Sequence, residues 1–159
     1  PKRADEMVRL GDLSRAGISW SLHSDMPMAP ADPLFLMWCA VNRRTTSGRV
    51  AAPEQRVSVE QALRGITIEA AYSLRLEDEV GTISPGKRAN FTVLAENPLT
   101  ADPMAIKDIA VWGTVMEGQV LPSGRAQKKA GLAPSSPGAG DGFQHAALRH
   151  ALMVAHGEE

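Results

Sequence analysis

One alternating segment, Ile18-Ser19-Trp20-Ser21-Leu22, sets the narrowest limit on how this chain folds. Apolar and polar residues alternate with the period of two that marks a strand. Helical patterns flank it, and no second strand pattern follows until Asn90. A strand without a neighbour leaves backbone donors and acceptors unpaired on both edges. The order is helix, strand, helices, then a cluster of strands, which predicts an α/β piece followed by a β-rich piece.

The remaining elements follow from spacing and caps. Residues 4–16 read as one helix with Met7, Val8, Leu10 and Leu13 on its apolar face, ended by Gly17. A loop with Pro27, Pro30 and Pro33 leads to a helix over Leu34–Asn42, and Arg43–Val57 reads as loop. Ser58 and Gln61 form a capping box at the start of a helix predicted to run to Leu74. Strands are expected over Asn90–Leu94, Ile109–Met116 and Gln119–Leu121, with Glu117-Gly118 turning the last two into a hairpin. Gly, Pro and Ser crowd residues 122–142, a linker composition, and Phe143–Ala155 reads as a short helix.

Composition removes several function classes. The 159 residues carry 17 Lys plus Arg against 18 Asp plus Glu, a net charge of −1. That balance offers no electrostatic case for nucleic acid or an anionic membrane. The longest apolar run, Leu34–Val41, falls far short of the ~20 residues of a membrane span. A single cysteine, Cys39, excludes an intrachain disulfide and a multi-cysteine zinc site, and reads as a buried structural thiol. The start, Pro1-Lys2-Arg3, carries no signal-peptide hydrophobic region, which leaves localisation open with the cytoplasm as default.

Asp25 is the most suggestive residue. It follows the carboxyl end of the 18–22 strand, where α/β folds gather ligand and metal groups. A carboxylate there can ligate a divalent metal or accept a proton from an attacking water. By position alone a turn aspartate is the stronger reading. His23 shares the face of Asp25 by strand alternation and could bind metal or hydrogen-bond a substrate, with a half-buried histidine bonded to a loop the stronger reading for it alone. His145, His150 and His156 lack i, i+4 spacing and read as a solvated tail face. Met26, Met28 and Met37 flank the proline-rich loop, with core filling as the default and an apolar substrate wall as the alternative. Gly81–Lys87 has glycines and a lysine without Walker spacing, and reads as two tight turns.

Four blocks together resemble the amidohydrolase superfamily. Gly17–Asp25 (GISWSLHSD) is similar to its eighth barrel strand, and Ser58–Tyr72 to the helix that follows. Gly81–Leu94 (GTISPGKRANFTVL) resembles its return from barrel to small β-domain, and Asp108–Leu121 the closing hairpin of that domain. The amidohydrolase-3 group is the most similar branch, and the resemblance covers residues 5–121. It implies the last strand and helices of a (β/α)₈ barrel over residues 1–80 and strands of a small β-sandwich over 81–121. Residues 122–159 form a Gly/Pro-rich linker and short helical tail outside it.

The resemblance further implies one or two divalent metals, usually zinc, and an activated water that attacks a non-peptide carbon–nitrogen bond of a small-molecule substrate. Asp25 matches the family's metal-contacting general base. His23 carries over as a residue that touches either the substrate or the side chains around the metal. Asn90 stands where the family has a structural aspartate. A full barrel needs ~250 residues and a catalytic zinc about three protein ligands. The chain is therefore expected to be a carboxy-terminal fragment of the hydrolase. It should be inactive alone, bind no metal alone, and either self-associate through its uncovered strand or be only partly folded. The alternative is a non-catalytic structural or interaction module.

Overall fold

The computed structural model describes residues 2–123. They divide into a helical unit, residues up to 81 plus 98–108, and a sheet unit, residues 82–97 and from 109 onward. Phe143–Ala155, expected as a helix, and the three tail histidines lie outside the described residues.

In the helical unit, α1 (Lys2–Asp5) and α2 (Leu10–Arg15) replace the single helix expected over 4–16. The break is at Val8, whose φ is +54°. Arg43 accounts for it: its guanidinium donates to the carbonyls of Val8 (2.7 Å), Met7 (3.0 Å) and Asp5 (3.4 Å). Those carbonyls are thereby drawn to a side chain rather than along a helix. Of the expected apolar face only Leu10 is buried, while Met7 and Val8 are exposed. Gly17 does end α2. At φ +66° it lets Ile18 N–H reach Leu13 O (3.0 Å) and Gly17 N–H reach Ser14 O (3.1 Å). These paired bonds satisfy carbonyls that the helix end would leave open.

Helix α3 (Pro33–Asn42) begins as its sequence dictates. Asp32 accepts from Phe35 N–H (3.1 Å), and Pro33 stands in the first turn, where a missing N–H costs nothing. Its buried residues Leu34, Met37, Ala40 and Val41 form the centre of the core with Ala62, Leu63 and Ile106. The returning 98–108 segment ends in a 3₁₀ turn (Ile106–Asp108) against α3. Asn42 ties the two together, donating to Trp38 O (3.0 Å) and Pro103 O (2.8 Å), while Trp38 Nε1 donates to Met104 O (3.1 Å).

Residues 58–74 are not one helix either. Helix α4 (Val59–Gly65) starts at the expected capping box: Gln61 N–H donates to Ser58 Oγ (3.0 Å), and Ser58 N–H to Gln61 Oε1 (2.9 Å). The chain then breaks at Ile66-Thr67 before α5 (Ile68–Ser73). A continuous helix would need Gly65 O to accept from Glu69 N–H. Gly65 O instead accepts from Leu22 N–H (3.0 Å).

The sheet unit holds β1 (Phe91–Leu94), β2 (Val111–Met116) and β3 (Gln119–Pro122), antiparallel in the order β1-β2-β3. The hairpin turns at Glu117-Gly118 as expected, with Met116 opposite Gln119. Both turn residues have positive φ, +49° and +82°, the twist that two-residue hairpins prefer. Asn90 Oδ1 accepts from Glu117 N–H (2.8 Å). An amide oxygen thus fills the acceptor role that a carboxylate would have at this position. Gly113 sits where β3 passes closely; a Cβ there would lie 2.7 Å from Leu121 O.

Candidate active site

The Ile18–Leu22 segment has no ladder partner among the described residues and is not a strand here. Alternation supplies the pattern, but a strand forms only when another strand takes its backbone groups. Side chains and two backbone bonds to the helices, Ile18 N–H to Leu13 O and Leu22 N–H to Gly65 O, hold the segment instead. Trp20 Nε1 donates to Ser14 Oγ (2.9 Å) at the end of α2, and its ring lies on Gly65, where a Cβ would meet Cζ3 at 2.5 Å. Leu22 N–H bonds Gly65 O, and Ser21 Oγ donates to Ser73 Oγ (3.4 Å).

This anchored segment delivers His23 and Asp25 to the surface, both exposed. Asp25 has φ +53°, a left-handed conformation that Asp tolerates better than most residues. Its carbonyl accepts from Met28 N–H (2.8 Å), closing a turn over Asp25–Met28 that contains a cis Met26–Pro27 bond. The structure does bring His23 and Asp25 together, through the main chain: Asp25 N–H donates to His23 Nδ1 (3.2 Å). An accepting Nδ1 leaves Nε2 to carry the proton of the neutral ring. No described residue bonds the Asp25 carboxylate, so the turn is held by Asp25's backbone and its side chain is left for other chemistry.

A second polar cluster gave no signal in the sequence. Ser19 Oγ donates to Glu69 Oε2 (2.5 Å), and Arg64 Nη2 bonds Glu69 Oε1 (2.9 Å). The Ser19 hydrogen bond holds the Glu69 carboxyl below the usual carboxylate range, with Arg64 adding to it against partial burial. The three side chains border an open cavity of about 260 Å³ that Trp20 and Gln61 also line. Arg64 and Glu69 stand five apart across the Thr67 break, so helical spacing gives no hint of their pairing. Cys39 is half-buried, and burial pushes its thiol up, as suits a structural thiol rather than a nucleophile.

Among the described residues no group of three or more His, Cys, Asp or Glu side chains could hold a metal ion. Asp25 can offer an oxygen, and His23 could offer Nε2 only by moving its proton to Nδ1 and giving up the Asp25 N–H bond. Those two do not fit a catalytic zinc, which takes about three protein ligands.

The Amidohydrolase family model matches residues 1–122. The chain belongs to the amidohydrolase family. Within it, the chain is 36% identical over 103 residues to N-substituted formamide deformylase of Arthrobacter pascens, covering 65% of this chain and 19% of that protein. It is 31% identical over 112 residues to YtcJ of Bacillus subtilis (strain 168), covering 69% and 21%. The chain thus spans about a fifth of the length of these two curated relatives. Among solved structures, an amidohydrolase from Thermotoga maritima MSB8 superposes with a TM-score of 0.53 at 22% identity, over 70% of this chain and 24% of that one. That likeness is one of fold, a mixture of helices with a small antiparallel sheet.

Proposed function

We propose that this amidohydrolase segment is the carboxy-terminal part of a metal-dependent hydrolase that cleaves a non-peptide carbon–nitrogen bond. On this reading residues 18–25 are the last barrel strand and its catalytic end, with α4 and α5 outside it. The three-stranded sheet is then part of a small β-sandwich. The observation that carries the reading is Asp25: a carboxylate at the end of the family's strand block, exposed, with no described partner, on a turn held by its own backbone. The substrate is an N-substituted amide, a class suggested by the name of the Arthrobacter relative.

Asp25 takes the proton of the attacking water and passes it to the departing nitrogen, so one group serves as base and then acid. His23 Nε2 donates a hydrogen bond to the substrate. Divalent metal dependence is part of the proposal and rests on the family. The described residues alone do not complete a metal site, and they are inactive alone. The chain's partners are then a small molecule and further copies of itself, not nucleic acid, given its net charge of −1.

Asp25→Asn keeps the shape and removes the proton acceptor. In the active form of the protein, turnover should fall by roughly 10²–10⁴-fold, the usual worth of a general acid–base group. Steady-state kinetics on purified variant and parent make the check. Turnover within twofold of the parent would remove Asp25 from the chemistry.

A further inference from the structure

The three methionines around the proline-rich loop do not share one fate. Met37 is fully buried at 0% exposure in the core of α3, whereas Met26 and Met28 are 66% and 82% exposed. Core filling therefore explains Met37 and leaves the other two unexplained. Both belong to the turn that carries Asp25, one and three residues after it, and the Met28 N–H to Asp25 O bond closes that turn. Large apolar side chains exposed beside an uncommitted carboxylate lose apolar burial unless something covers them. Thioether chains are flexible and polarisable, which suits them to cover a ligand group of variable shape.

We propose that Met26 and Met28 form the apolar wall of the substrate pocket next to Asp25 and select substrates whose nitrogen carries an apolar substituent. The inference rests on the assignment of Asp25 as the proton carrier. In the hydrolysis the carbonyl carbon gains a bond to the water oxygen and the C–N bond breaks. The water proton passes through Asp25 to the nitrogen, giving a carboxylic acid and an amine. Asp25 must therefore come within hydrogen-bond reach of the leaving nitrogen. The side chains that share its turn touch what hangs on that nitrogen rather than the acyl group.

The test uses the active form of the protein in its Asp25→Asn variant, with ¹³C-labelled methionine methyls, titrated with N-butylformamide and, separately, N-(2-hydroxyethyl)formamide. Met26→Leu and Met28→Leu assign the two signals. The buried Met37 and the exposed Met116 of the sheet unit serve as controls. The Met26 and Met28 signals should move with the butyl compound and hardly with the hydroxyethyl one, while Met37 and Met116 stay still. Signals that stay unmoved up to the solubility limit, move equally with both compounds, or move together with Met116 overturn the proposal. In the active form, Met26→Ser and Met28→Ser should each lower the butyl-over-hydroxyethyl preference in kcat/KM roughly tenfold, the worth of a few apolar contacts in a pocket. An unchanged preference overturns the proposal as well. Asp25→Asn separates the two levels. If it abolishes turnover while the methionine variants keep the preference, only the methionine wall fails. If it leaves turnover intact, the assignment beneath it fails.

Discussion

Single residues here do their work by occupying backbone groups that regular structure would use. Arg43 holds three carbonyls of the α1–α2 connection, and Asn42 bridges α3 to the returning 98–108 segment. Asp12 is the clearest electrostatic case. Hydrogen bonding with Gln55, then with Arg15 and Arg9, lowers its carboxyl from 3.8 to about 2. A carboxylate depressed in the folded state contributes stability that is complete above its unfolded value and is lost as pH falls through its folded value. Denaturant unfolding should therefore show stability declining between about pH 4 and pH 2, and Asp12→Asn should flatten that part of the curve. A variant curve parallel to the parent's would show that Asp12 is not the group responsible. Gly65 gives a packing counterpart. Alanine is ordinarily better in a helix by up to ~1 kcal/mol. Here its Cβ would meet Trp20 Cζ3 at 2.5 Å. Gly65→Ala should lose about 1–3 kcal/mol, the range for overpacking a filled contact. Most of the loss should vanish when Trp20 is also replaced by alanine, and a double-mutant cycle reads that coupling.

At the scale of elements, starts and turns were legible and continuity was not. The Ser58–Gln61 capping box is written in four adjacent residues and forms as written. Ser58→Ala should cost about 1 kcal/mol in thermal or chemical unfolding, the usual value of such a cap. Ser58→Asp should restore most of it, because a carboxylate can accept the same N–H. The hairpin at Glu117-Gly118 is equally local, since two positive-φ residues bring Met116 opposite Gln119. The two expected long helices both broke, and each break has a cause distant in sequence. Arg43 captures the carbonyls around Val8, and Leu22 captures the Gly65 carbonyl. Periodicity records only which side chains share a face, so it carries no trace of a competitor for a backbone oxygen.

At the scale of the molecule, the described residues display large apolar side chains at the surface. Ile18, Tyr72 and Leu74 are 53%, 57% and 69% exposed, and among the described residues Ile18–Leu22 has no ladder partner. Unpaired edges and apolar surface both favour association. Sedimentation velocity across a concentration series should show the 159-residue chain growing in mass. A single monomer boundary at every concentration would rule association out. Metal content is a companion measurement. With Asp25 and His23 as the ligands on offer at the 23–25 turn, zinc should be lost on dialysis, well below one ion per chain by elemental analysis. Stoichiometric retention would mean that the chain completes a site by another route and would favour an independent module over a segment of a hydrolase.

The sequence by itself determined whatever depends on neighbours along the chain: the caps of α3 and α4, the glycine end of α2, and the hairpin. Each of these is a contest among backbone groups a few residues apart, so the residues that decide it sit side by side. Only the tertiary structure decided that Met37 is core while Met26 and Met28 are surface, that His23 meets Asp25 through its backbone N–H, and that Ser19, Arg64 and Glu69 converge. It alone decided where two helices stop and that an alternating segment has no ladder among the described residues. Those outcomes turn on which distant group reaches a given atom first, and spacing along the chain holds no information about that.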